Sequence, residues 1–324
     1  MSLMNTRSTR SLTAIALCAI AFSFSSCIEN STVVRVKKDG SGEIFSRYYF
    51  SPQMTGMLGM LNGLSAGLPG AEGAAPSPAP SVDDLLKPTR ESLEADATSY
   101  GKGVRYQSHE IGKNANQWDG YLVVYQFDNI NDLKIDPTKP PGPFDDLAKM
   151  NPQAAAAIEA QAAEGAEIES PVKFTMADGV LTIDTGVSPE TLNEISEAGG
   201  SLGGSGLPGG GAISAPGGGE IDPAAAMQMA AGMFQGMRIA YFIRIEGEIA
   251  ETNAQHVDGS LITMSDIQPA IMMADPALMA FTKEAEALQG QEIDQAKADA
   301  MMEKVKTIEG IKLETQPQIT VRFK

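Results

Sequence analysis

The side chains able to do chemistry in this chain are few, and their spacing narrows them further. Among 324 residues there are two histidines, His109 and His256, and two cysteines, Cys18 and Cys27. A nucleophile–imidazole constellation would have to use one of those two histidines, and neither stands beside a recognisable nucleophile element. Gly204-Ser205-Gly206-Leu207-Pro208-Gly209 fits the pattern G-x-G-x-x-G, and Gly199-Gly200-Ser201-Leu202-Gly203 fits G-x-S-x-G. Both lie in one glycine tract, with no strand before and no helix after to build a phosphate cradle or a strained nucleophile turn. The acidic pairs Asp83-Asp84 and Asp145-Asp146 lack the alternating spacing of a calcium loop and suit helix N-termini instead. A single tryptophan, Trp118, and 6% aromatic residues give little stacking surface for a sugar held between two carboxylates. No catalytic residue, metal site or cofactor is read from the sequence.

The methionines are the compositional oddity. There are 17, clustered as Met54, Met57 and Met60, then Met227, Met229, Met233 and Met237, then Met272 and Met273. Thioethers bind copper(I), but without neighbouring His or Cys the favoured reading is pliable packing or contact with an apolar partner. Met54, Met57, Met229, Met233 and Phe234 are therefore candidate ligand or partner contacts. Tyr121, Tyr125 and Phe127 join them, on one face of an alternating strand.

Charge and the N-terminus set the address. With 24 basic and 41 acidic residues the net charge is −17, and no basic stripe is present to hold nucleic acid. Arg7 and Arg10 precede an uncharged apolar run, Leu12 to Phe24, which is short of the roughly 20 residues that span a bilayer. Small residues Ser25 and Ser26 then lead into Cys27, the layout of a secretory signal covering 1–26. Phe24-Ser25-Ser26-Cys27 resembles the lipobox of bacterial lipoproteins, with Phe24 where that motif usually has Leu. The resemblance implies that Cys27 is acylated and becomes the first residue, with 27–30 as the lipidated N-terminus and the membrane as a partner. Ile28 stands where the inner-membrane retention signal would place Asp, so the outer membrane, facing the periplasm, is implied. Loss of 1–26 leaves 22 basic against 41 acidic residues, or −19.

The elements that must position these residues are mostly hairpins. STVVRVKKDGSGEIFSRYYF (31–50) places β-branched and aromatic runs on either side of Asp39-Gly40, a hairpin signal. Strands are predicted over 103–111 and 118–130, a second hairpin over 172–186, and a third over 237–266. Ser81 is predicted to start a helix that Pro88 interrupts and that resumes through Leu93 and Ala97 to Gly101. A long helical stretch is predicted over 275–308, split at Gly290 and Gln291, and a closing strand over 311–324. Near 51–80, 136–170 and 196–237 the chain is rich in Gly and Met or in Ala and Glu, as in flexible inserts. The expectation is one α+β domain over 31–324, an antiparallel or mixed sheet of about eight strands packed by helices.

Three stretches, VRVKKDGSGEI, GYLVVYQFDNINDLKI and RIEGEIAETNAQHVDGSLITMSDI, resemble largely uncharacterised bacterial lipoproteins, distantly similar to the LppM-like lipoprotein domain. The step from Gly247 to Asn253, followed by Asp258-Gly259, matches that domain's closing pattern, with Met264 near the place of its aromatic. The resemblance implies an anchored α+β envelope domain that handles lipid, and it transfers no catalytic residue. The expectation is a non-enzymatic, lipid-anchored protein binding an amphipathic ligand or an envelope partner. The alternatives are a scaffold that self-assembles through its Met-rich segments and an envelope hydrolase with an unrecognised site.

Overall fold

The computed structural model describes residues 28–56, 59, 82–135, 142, 172–186, 235–288, 297, 300 and 303–324. The first hairpin pairs β1 (Ile28–Val36) with β2 (Gly42–Phe50) in register from Ile28↔Phe50 to Val36↔Gly42. Its turn follows local chemistry. The Asp39 carboxylate accepts from the Ser41 backbone N–H at 3.0 Å and the Ser41 hydroxyl at 2.7 Å, and Gly40 takes the positive φ that the tight turn requires. The strand reaches back to Ile28, three residues before the predicted start, so Ile28, Glu29 and Asn30 belong to the sheet.

A second hairpin, β3 (Arg105–Lys113) and β4 (Asp119–Phe127), adds to the free edge of β2. On the other side of β1 lies β7 (Arg238–Ile245), the one parallel pairing in this sheet, followed by β10 (Leu261–Ile267). Two short strands complete it, β9 (Val257–Asp258) and β11 (Ile311–Leu313), both paired to β10. The result is a mixed eight-stranded sheet in the order β11-β10-β7-β1-β2-β4-β3. A second, four-stranded sheet runs β5 (Lys173–Ala177), β6 (Val180–Asp184), β12 (Gln318–Phe323) and β8 (Ile249–Thr252). The α+β class and the mixed sheet thus stand as expected, with a further small sheet beside it.

The closing segment divides because Pro317 has no N–H for a ladder. The Glu314 carboxylate turns the chain there, accepting from the backbone N–H of Gln255 at 2.7 Å and of Gln316 at 3.0 Å. Residues 311–313 therefore stay in the large sheet while 318–323 join the small one. Helices are short: α1 (Val82–Leu86), α2 (Arg90–Ala97, capped by the Thr89 hydroxyl), α3 (Pro269–Ala274) and α4 (Pro276–Leu288). Asp275 separates the last two. Its carboxylate takes the backbone N–H of Glu309 and of Ala277, which holds its pKa below the usual carboxylate range.

One apolar core fills the space between the two sheets and the helices, and includes Leu85 of α1, Leu93 and Ala97 of α2, and Tyr100 just beyond. The strand face turned toward it is set by parity: even residues of β1 and β2, odd residues of β4 and β7. A small separate cluster of Met237, Met273, Leu278 and Ile308 packs α3 and α4 against the start of β7.

Candidate functional site

The inner face of the large sheet is apolar where it meets the helices and polar near the end at which β1 begins. Register aligns the side chains in rows across β7, β1, β2 and β4. One row reads Ile239, Asn30, Tyr48, Tyr121, the next Tyr241, Thr32, Ser46, Val123, and the third Ile243, Val34, Ile44, Tyr125. The first two rows thus bring three tyrosines, an asparagine, a threonine and a serine into the centre of a sheet face that is otherwise mainly Ile, Val and Phe.

Most of these polar groups satisfy one another. The Ser46 and Tyr100 hydroxyls share a hydrogen bond at 2.8 Å, and Thr32 lies 3.5 Å from Ser46. Tyr48 also bonds Tyr100. The rings of Tyr48 and Tyr121 stack tilted at 5.3 Å between centroids, and those of Tyr100 and Tyr125 at 5.1 Å. Gly142 passes over the end of Tyr48 so closely that a Cβ there would lie 2.8 Å from Tyr48 Cζ. Two atoms are left over. Among the described residues, Asn30 Oδ1 and Tyr241 Oη are buried with no hydrogen-bond partner, in residues each only 4% exposed. They sit on neighbouring strands and the same face, in adjacent rows two residues apart along the ladder. Ile239, level with Asn30 on that face and two residues before Tyr241, is 36% exposed. The inner face is therefore open to solvent immediately beside the two unpaired atoms.

Burial decides the electrostatics. It pushes the Tyr100 hydroxyl up to about 12, and raises Tyr48, Tyr125 and Tyr241 well above the ordinary phenol value. All four are neutral donors at physiological pH. The arginines of β1, β2 and β7 (Arg35, Arg47, Arg238 and Arg244) fall by parity on the opposite face. Arg238 there makes two 2.8 Å bonds to the buried Asp266 carboxylate. The patch can donate and accept hydrogen bonds, and it carries no fixed charge to hold an anion.

The residues singled out from sequence fall as follows. Tyr121, Tyr125, Phe127 and Met54 are all buried in the main core, so any ligand touching them would have to lie inside the protein. Met57, Met229, Met233, Phe234 and Cys27 lie outside the described residues, as do the glycine tract with its two motifs and Asp145-Asp146. Asp83 and Asp84 occupy the first turn of α1, as their pairing suggested. The two histidines are separated by the width of the sheet. His109 on the edge strand β3 bonds the Tyr106 hydroxyl at 2.7 Å, and His256, just before β9, meets the Leu313 carbonyl at 3.1 Å. Among the described residues, no three His, Cys, Asp or Glu side chains gather to hold a metal. No helix there is long and apolar enough to cross a membrane.

Asn30, Tyr241, Thr32 and Ser46 were not selected from sequence. The signal was the alternation Ile28-x-Asn30-x-Thr32-x-Val34, which puts amides and hydroxyls at core-facing positions of a strand otherwise apolar there.

No family model and no curated protein matches the chain. Among solved structures, the NMR structure of the folded domain of LppM from Mycobacterium tuberculosis is similar over 76% of this chain and 85% of that one, at 9% identity and a TM-score of 0.27. This is a distant structural similarity, and at that score it carries no weight for function.

Proposed function

We propose that this protein is a non-enzymatic lipoprotein of the bacterial cell envelope, acylated at Cys27 and facing the periplasm from the outer membrane. In this reading it holds an uncharged, hydroxyl-bearing amphiphile in its interior. The observation that carries the ligand reading is the pair of unpartnered atoms, Asn30 Oδ1 and Tyr241 Oη, buried beside the exposed Ile239. A buried polar atom without a partner is costly, and a hydroxyl group that gives one hydrogen bond to Asn30 and takes one from Tyr241 removes both penalties. Apolar neighbours Ile28, Phe50 and Ile239 suit an acyl chain, and the neutral tyrosines with no inward arginine disfavour an anionic head group.

The test is native mass spectrometry of the mature, acylated protein released from detergent micelles in the presence of a monoacylglycerol. The expected spectrum shows one bound monoacylglycerol per chain, absent from an Asn30→Leu/Tyr241→Phe double variant. A ladder of adducts unchanged in that variant, or no adduct at all, refutes the ligand reading. Two chains travelling together through the Met-rich segments without lipid would instead favour the scaffold.

A further inference from the structure

We infer that the end of the large sheet where β1 begins rests on the bilayer surface, so that the opening at Ile239 faces the membrane. The inference rests on the acylation of Cys27 proposed above. Its structural basis is the absence of slack. Cys27 is the residue immediately before β1, and Ile28 is already buried and paired with Phe50. Neighbouring Cα atoms are about 3.8 Å apart, so an acylated Cys27 ties the sheet directly to the lipid with no linker between them.

The same end carries buried apolar side chains together with the exposed Lys113–Asp119 pair. Strand directions bring together there the end of β2, the starts of β4 and β7, the end of β10 and the start of β11. Met54, Trp118 and Met237 stand where β2 ends and where β4 and β7 begin, and α3 follows the end of β10. Within α3, Ile271 is 44% exposed, and its neighbours Met272 and Met273 contribute to the small Met-rich cluster. The opposite end of the sheet carries the Asp39-Gly40 turn and the C-terminus, where Lys38 donates to the Lys324 carbonyl at 3.0 Å. Nine-residue strands separate the two ends by about 30 Å. Asn30 lies two residues, or about 7 Å, above the anchored rim. A membrane lipid reaching the interior patch from that rim would pass Ile239 without crossing an aqueous gap.

Trp118 is the sole tryptophan and sits at this rim, directly before Asp119, which pairs with Phe50. The acylated full-length mature protein is reconstituted into phosphatidylcholine vesicles, with or without bromine on the acyl chains near the glycerol. Brominated lipid is expected to remove most of the Trp118 fluorescence. A Trp118→Phe/Lys38→Trp variant, which moves the reporter to the opposite end, is expected to keep its emission. Acylated protein whose Trp118 is unquenched, or whose two reporters are quenched alike, overturns the orientation while leaving the anchor intact. Mass analysis of the N-terminal peptide, made first, separates the other failure, since an unmodified Cys27 overturns the anchor and the orientation with it.

Discussion

Removing the hydroxyl of Tyr241 should make the empty protein more stable and the loaded protein bind less well. In the ligand-free state the group is desolvated and makes no hydrogen bond among the described residues. Leaving such a group unsatisfied costs about 1–3 kcal/mol. Phenylalanine keeps the ring and leaves no cavity beyond one oxygen, so Tyr241→Phe recovers much of that penalty. A gain of about 1 kcal/mol raises the Tm of a domain this size by roughly 2–4 °C. Binding moves the other way. The lost hydrogen bond to a neutral hydroxyl is worth about 0.5–1.5 kcal/mol, which weakens affinity roughly 2- to 12-fold. Thermal unfolding of delipidated protein, with and without a monoacylglycerol, reads both effects at once. Tyr100→Phe is the control of opposite sign, because the Tyr100 hydroxyl is bonded to Ser46 and its removal destabilises the empty protein by about 1 kcal/mol. If Tyr241→Phe lowers the Tm of the empty protein as Tyr100→Phe does, the hydroxyl already has a partner and the argument for a ligand fails.

Alkaline titration should unfold the protein steeply. Tyr48, Tyr100, Tyr125 and Tyr241 keep their protons in the folded state above the ordinary value of 10.0, while the unfolded chain loses them near that value. Their contribution is whole below pH 10 and falls above it, by about 1.4 kcal/mol per pH unit for each tyrosine ionised only when unfolded. Tyrosinate absorbance should therefore appear with loss of structure, and a tyrosinate signal from these residues in the folded protein would contradict it. Gly236 has φ +85°, and a Cβ there would meet Trp118 Cζ2 at 2.7 Å. Gly236→Ala should cost about 1–3 kcal/mol and shift the tryptophan emission, and unchanged emission would mean that the indole packs elsewhere. Asp266→Ala strips both bonds from the Arg238 guanidinium, which is itself partly solvated, and should cost about 1–2 kcal/mol in chemical denaturation.

What was legible in the sequence was what local chemistry dictates. The Asp39-Gly40 turn, the alternation through Tyr121, Tyr125 and Phe127, and the helix break at Pro88 are each specified within a few residues, and each is present. Pairings across long separations were not legible. The parallel contact of β1 with β7 joins Glu29 to Arg238, and periodicity says which face a strand buries but not which strand lies beside it. The unpaired Asn30 and Tyr241 become neighbours only through that pairing, so the patch could not be assembled from either segment alone. The third hairpin pairs as expected, β7 with β10, but β8 leaves for the small sheet between them, and its four residues are too few to announce a separate partner. The helix predicted to start at Asp275-Pro276 does so, but α3 before it is one and a half turns long, below the length at which helical periodicity is readable.

The central claim is that a neutral amphiphile occupies the inner face beside Asn30 and Tyr241. The most direct measurement is photolabelling of the membrane-bound, acylated protein with a monoacylglycerol carrying a diazirine next to its head group, with the modified residues mapped by tandem mass spectrometry. The account predicts labels on β1 and β7 at the inner rows, around Asn30, Ile239 and Tyr241, and their loss in the Asn30→Leu/Tyr241→Phe variant. Labels confined to the opposite face of the sheet or to the exposed side of α3 at Ile271 would contradict it.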